Sequence, residues 1–281
     1  MKLSKGLIAG ILEKERKTNP KVHYISDITK ANDFAEVVRI FNGRSIMAYG
    51  IEEIHEITAE SNSLVIGLET LDNGKILAME RALRIAKKRE VPVLLDLSGV
   101  NLSLYRKNTA LSFLNRYTID LVKGTVEEVQ ALIRSQKRNR CKEKNIKAEY
   151  RDFAIKNKVF LLVESEEYYI TDGYSEFYIK NKNKYFNDEE YIDNIYTGVL
   201  ASSIGICNNK SEIIQSVLIS TLSFYIAQEA SIELFKYQFE DDIDKNDINL
   251  VNEYLLEEIS KINVDKIKSY GDVEYYFKRN R

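Results

Sequence analysis

Four short, almost wholly apolar runs punctuate the first 165 residues, each but the last followed by a stretch with helical spacing or a turn into one. The runs are Ser63-Leu64-Val65-Ile66-Gly67-Leu68, Val91-Pro92-Val93-Leu94-Leu95-Asp96, the end of the segment 115–122, and residues 159–163. A strand that is apolar without alternation must be covered on both faces, which only a sheet between two helical layers provides. Helical spacing follows in residues 75–89, with Ile76, Leu77, Met79, Leu83, Ile85 and Ala86, and in residues 125–134. Strand and helix in this order predict an α/β chain with a mainly parallel sheet and helices on both faces. Ligands in such sheets bind beyond the carboxyl ends of the strands. Asp96 and the turn Lys123-Gly124-Thr125 therefore become the places to look.

The rest of the chain fits one unit. Residues 213–235 are long and apolar but carry Gln215, Ser220, Gln228 and Glu229, as expected of a buried core helix rather than a membrane span. An acidic stretch from Glu240 leads into a helix over residues 250–262. With no internal repeat and no break in composition, residues 1–281 read as a single domain.

Several functions are disfavoured by what is scarce. The 12 glycines include neither GxxxxGK[ST] nor GxGxxG, against a P-loop NTPase or a standard dinucleotide enzyme. Lys and Arg number 41 against 43 Asp and Glu, a formal net charge of −2, so global charge does not draw nucleic acid. The basic stretch 137–144 lacks interleaved aromatics and reads as a solvated helix end and linker. Two cysteines, Cys141 and Cys207, and two histidines, His23 and His55, leave little for a disulfide framework or a zinc site. Cys207 reads as a small buried hydrophobe. Residues 7–12 are too short for a secretion signal, so the expected setting is the reducing cytoplasm, with no membrane and no nucleic-acid partner. The pairs Tyr168-Tyr169 and Tyr275-Tyr276 read as packing.

Two strand ends carry chemistry. Asp96, at the close of a buried strand, suits a hydrated Mg²⁺ beside a polyphosphate, or equally a cap for the next turn. Lys123 would neutralise phosphate charge, Gly124 lets the backbone turn, and Glu128 would orient a metal-bound water. The plainer alternative for Glu128 is an acid placed favourably in the first turn of a helix.

An ordered series of short matches resembles the hydroxyethylthiazole kinase family of thiamine salvage. It runs through Asn19-Pro20-Lys21-Val22-His23-Tyr24-Ile25-Ser26-Asp27, Asn32-Asp33-Phe34-Ala35, Ser45-Ile46-Met47-Ala48 and Ile51-Glu52-Glu53-Ile54. It continues through Leu64-Val65-Ile66 with Thr70-Leu71, Pro92-Val93-Leu94-Leu95-Asp96 with Gly99-Val100, and residues 123–128, then loosely through Thr171-Asp172-Gly173, Thr197-Gly198 and Ala227-Gln228-Glu229. The resemblance implies a ribokinase-like three-layer α/β/α fold. The activity it implies is Mg-ATP-dependent phosphorylation of the primary alcohol of 5-(2-hydroxyethyl)-4-methylthiazole. It further implies a homotrimer with sites between subunits, Met47, Ser26 and Asp27 at the substrate, and Asp96 and Glu128 at magnesium. Lys123, Gly124, Thr125, Glu164, Ser165 and Gly198 fall at nucleotide-contact positions.

The departures from the family pattern are chemical. Lys123 replaces an arginine, keeping charge but losing the bidentate fork. Asp27 adds charge beside a site for a neutral ring. Glu164-Ser165 stands where the family has Thr-Gly, putting a carboxylate where phosphate binds. The glycine-rich anion-hole turn, with its Cys or Asp base, falls on Gly198, Val199 or Ala201 by register, and none of these is an acid or base. Two readings follow: an ATP-dependent small-molecule kinase with a degenerate site, or a relative that no longer turns over and serves as a small-molecule-binding or regulatory protein.

Overall fold

The computed structural model describes residues 4–136, 145–165, 167–180, 190–239, 248–270 and 273–277; the basic stretch 137–144, with Cys141, lies outside them. Its strands are β1 (Lys21–Ile25), β2 (Arg44–Ile46), β3 (Ser63–Gly67), β4 (Val93–Asp96), β5 (Leu121–Thr125), β6 (Phe160–Glu164), β7 (Glu167–Thr171), β8 (Ser175–Lys180) and β9 (Val273–Phe277). They form one sheet in the order β2-β1-β3-β4-β5-β6-β7-β8-β9. Pairing is parallel from β2 to β6 and antiparallel from β6 to β9.

Alternation within the apolar strands feeds two cores. Val65, Leu94, Leu121 and Leu162 point to one face. There they meet α1 (Lys5–Thr18), α2 (Ala31–Ile40), α8 (Glu190–Ile204), α9 (Lys210–Phe239) and α10 (Ile248–Ser260). Leu64, Ile66, Val93, Leu95, Val122, Leu161 and Val163 point to the other. This second core is closed by α3 (Ile54–Ala59), α4 (Asn73–Arg89), α5 (Leu104–Arg116), α6 (Val126–Gln136) and α7 (Ile146–Asn157). The result is the expected three-layer arrangement, with the central strands β3, β4 and β5 burying both faces. Local signals set the helix ends: Asp72 caps α4 by accepting from the Lys75 N–H at 2.8 Å, and Lys87, Lys88 and Arg89 fill its last turn. The long α9 is buried over most of its length, and no helix among the described residues is long and apolar enough to cross a membrane.

The antiparallel end has its own polar network. Arg151 of α7 donates to Glu176 Oε1 of β8 at 2.8 Å, and the hydroxyls of Tyr169 and Tyr178 each donate to Oε2 at 2.9 Å. Burial works against the charge on Glu176, yet Tyr178, Tyr169 and Arg151 outweigh it and hold the carboxyl below its ordinary range. Lys147 lies 4.0 Å over the Tyr178 ring.

Candidate active site

The register aligns the carboxyl ends of the central strands. Gly67 of β3 pairs with Asp96 of β4, Asp96 with Lys123 of β5, and Thr125 with Glu164 of β6. Adjacent strands thereby deliver Asp96, Lys123 and Glu164 to one edge, where the first turn of α8 adds Asp193.

Lys123 is completely buried. Its ammonium pairs with Asp193 Oδ1, stands 2.9 Å from Glu164 Oε1 and 3.6 Å from Asp96 Oδ2. Burial disfavours that charge, but Asp193, Asp96 and Glu164 outweigh it and hold the lysine well above its ordinary range. Asp96 is anchored further. Ser98 donates to its Oδ1 from the backbone at 3.1 Å and from the hydroxyl at 2.7 Å, and the Thr197 hydroxyl lies 3.1 Å from Oδ2. Burial pushes Asp96 up, while Lys123 and these hydrogen bonds hold it below the usual carboxylate range. Glu164 behaves oppositely: burial pushes it up to about 8, and Lys123 only partly opposes that. Glu69, after β3, is likewise raised to about 7 by burial and the charge of Asp96, although it pairs with Lys30.

Glu128 holds the loop together. Its Oε2 accepts the Thr125 N–H at 2.9 Å and its own N–H reaches Thr125 Oγ at 3.4 Å, the reciprocal pattern of a capping box. Its Oε1 accepts the Gly99 N–H at 2.6 Å. Gly124 permits this closeness, since a Cβ there would lie 2.9 Å from that of Leu97. Each Glu128 oxygen keeps one lone pair for another donor or a hydrated ion.

The proposed substrate residues lie along the same edge but do not touch Lys123. Ser26 is buried at the end of β1, where its carbonyl accepts from Lys75 Nζ at 3.1 Å. Asp27 turns its charge onto Thr29, accepting from the N–H at 2.9 Å and the hydroxyl at 2.8 Å, which holds it below its ordinary range. Met47 is half-buried against the first core. His23 positions the strand beside it: Nε2 is 2.7 Å from the Ala48 carbonyl and Nδ1 3.0 Å from the Thr58 hydroxyl, a buried structural histidine. Ser165 closes the turn after β6, its hydroxyl donating to the Glu167 carbonyl at 2.7 Å. Cys207 is packed beside Ser216, with its thiol pushed up to about 11 by burial.

The three positions considered for the anion-hole turn all fall inside a helix. Gly198, Val199 and Ala201 lie in the packed body of α8, and a side chain at Gly198 would collide with Val37 of α2. The acid of the first turn of α8 that meets Lys123 is Asp193, which the sequence reading did not single out. The signal available was Asp193 four residues before Thr197, one helical turn, with Thr197-Gly198 already among the matches.

The sequence profile of the hydroxyethylthiazole kinase family matches residues 12–254. The chain is 24% identical to a hydroxyethylthiazole kinase of Clostridium perfringens, over 94% of this chain and all of that one. It is 27% identical to one of Thermoanaerobacter sp., over 81% of this chain and 90% of that one. The structure of a hydroxyethylthiazole kinase protein from Pyrococcus horikoshii OT3 superposes with a TM-score of 0.83 at 21% identity, covering 96% and 99% of the two chains. A ribokinase-like superfamily protein from Enterococcus faecalis shares the fold more distantly, with a TM-score of 0.58 at 12% identity over 92% of this chain and 95% of that one.

Proposed function

Since the chain belongs to the hydroxyethylthiazole kinase family, we propose that it transfers the γ-phosphoryl group of Mg-ATP to the primary alcohol of 5-(2-hydroxyethyl)-4-methylthiazole. The observation that carries this reading is the meeting of Asp96, Lys123 and Asp193 at the carboxyl edge of the parallel sheet.

The donor chemistry suits magnesium. One ammonium faces three carboxylates, an excess of hard, anionic oxygen that a divalent cation balances. Among the described residues no group of three acidic or histidine side chains encloses a bare ion. A magnesium ion beside a polyphosphate takes one or two carboxylates together with water and phosphate oxygens. Asp96 would hold it directly and Glu128 through water. When bound, magnesium would screen phosphate charge and polarise the transferring group.

The protein's own residues do the rest. Lys123 offers positive charge to the phosphates, while Gly124 and Thr125 bring backbone close to them. Asp193, the most exposed of the three carboxylates with its side chain 28% accessible, takes the proton of the attacking alcohol. The hydrogen bond from Lys123 to Asp193 Oδ1 orients it, and the Ser98 hydroxyl lies 3.2 Å from Oδ2. Ser26, Asp27 and Met47 would flank the ring. Ser165 and Gly198 support this site through the turn and helix on which they sit.

The continuous sheet supports reading residues 1–281 as one domain, and we place it in the cytoplasm. Ile28, Leu102 and Leu104, each at least 70% exposed, follow β1 and β4 at the carboxyl edge. Such an apolar rim suits coverage by a second copy, as in a homotrimer. Light scattering that returns a trimer would support this arrangement, and a monomer would refute it.

Purified protein incubated with the thiazole alcohol and Mg-ATP should yield the thiazole phosphate by mass spectrometry, with none above background for Asp96→Asn. Asp193→Asn should lower kcat by about 10²–10⁴-fold. Wild type yielding no more product than Asp96→Asn would overturn the reading.

A further inference from the structure

An ammonium group has three N–H donors, and Lys123 Nζ has three carboxylates around it: Asp193, Glu164 at 2.9 Å and Asp96 at 3.6 Å. The ammonium is thus enclosed by carboxylates of this chain, one of them hydrogen-bonded to it, and a phosphate oxygen that reaches Lys123 competes with them for that space. The three are not equally held. Asp96 is fastened by the N–H and hydroxyl of Ser98, and Asp193 by its hydrogen bond from Lys123 itself. Glu164 Oε1 is buried and, though close to Lys123, makes no aligned hydrogen bond among the described residues. Glutamate also has the longest side chain of the three, and at the end of β6 it adjoins the turn at Ser165.

We propose that Glu164 is a resident stand-in for a nucleotide phosphate, which the incoming phosphate displaces from Lys123. Glu164 is then a positioning residue that sets nucleotide affinity without touching the reacting atoms. The side chain occupies the space beside the ammonium in either protonation state, so the effect is one of occupancy as well as charge. This inference rests on the kinase reading for the nature of the ligand.

The test compares wild type, Glu164→Thr and Glu164→Gln by Mg-ADP titration calorimetry and by steady-state kinetics with varied Mg-ATP. Threonine vacates the position, whereas glutamine keeps its volume. Expected for Glu164→Thr are a Kd for Mg-ADP and a KM for Mg-ATP each lowered roughly tenfold, with kcat within about threefold; Glu164→Gln should lie between it and wild type. A merely structural role would lower thermal stability and leave KM unchanged or raised. Turnover by wild type with Kd and KM unmoved in Glu164→Thr overturns the proposal and leaves the kinase reading intact. Tighter Mg-ADP binding by Glu164→Thr without turnover in any variant supports the displacement and overturns the kinase reading. No nucleotide binding by any of the three proteins overturns both.

Discussion

Two buried ion networks sit on the same sheet, and they are built on opposite principles. At the antiparallel end, one carboxylate, Glu176, serves one guanidinium and two phenols, so charge and hydrogen bonds balance. At the parallel end, one ammonium, Lys123, faces three carboxylates, and the negative charge is in excess. The two carboxyls respond accordingly: Glu176 is held below its ordinary range, and Glu164 is pushed up to about 8. A network that only stabilises the fold can satisfy itself. A binding site is left in deficit, and what it lacks describes its ligand, here a cation that brings phosphate with it.

The largest effect should separate the networks by activity. Asp96→Asn is expected to cost about 10³-fold or more in turnover while the protein stays folded, read from product formation and a thermal melt. Glu176→Gln should do the reverse, costing about 3 kcal/mol in denaturant unfolding because Arg151 loses its buried partner, with KM and kcat unchanged. Loss of activity in Glu176→Gln without loss of stability would erase the distinction.

Their pH dependences should have opposite sign. Glu164 binds its proton more tightly folded than unfolded, so its contribution to stability is fully present below the ordinary carboxylate pKa and declines as pH climbs toward 8. Glu176 binds its proton more weakly folded, so its contribution is present above the ordinary pKa and is lost as pH falls through the depressed value. Melts from pH 3 to 9 should therefore find Glu164→Gln flattening the fall between about pH 4.5 and 8, and Glu176→Gln flattening only the acid limb. The smallest effect belongs to Lys147→Met, which removes a partly exposed cation from over Tyr178 and from its 3.6 Å pair with Glu167. It should change unfolding free energy by no more than about 1 kcal/mol.

The contrast also explains what the sequence made legible. Strand ends announce themselves, because an apolar run must stop somewhere, and the residue at the stop is Asp96 or Lys123. The runs at 63–68, 91–96 and 159–163 matched β3, β4 and β6 for that reason. Glu164 was singled out differently, through the family resemblance, as a carboxylate at a position where phosphate binds. Asp193 was not singled out, because the one mark it carries is its spacing of one helical turn before Thr197, and its pairing is with a lysine 70 residues away. Glu128 carried a legible signature, Thr125-x-x-Glu128, that distinguishes a capping box from a free acid. The strands β7, β8 and β9 passed unread because their tyrosines and charges alternate within a few residues, and β9 lies almost a hundred residues beyond its partner β8.

That wide separation around Lys123 bears on how the protein is made. Asp96 and Lys123 leave the ribosome well before Asp193 and Thr197, which are 70 to 101 residues removed from their partners. Until α8 arrives, the central strands carry a lysine that cannot be buried at low cost. Closing contacts of such separation is slow. The sheet edge is therefore expected to close only once α8 has been made, with the cluster around Lys123 completed last.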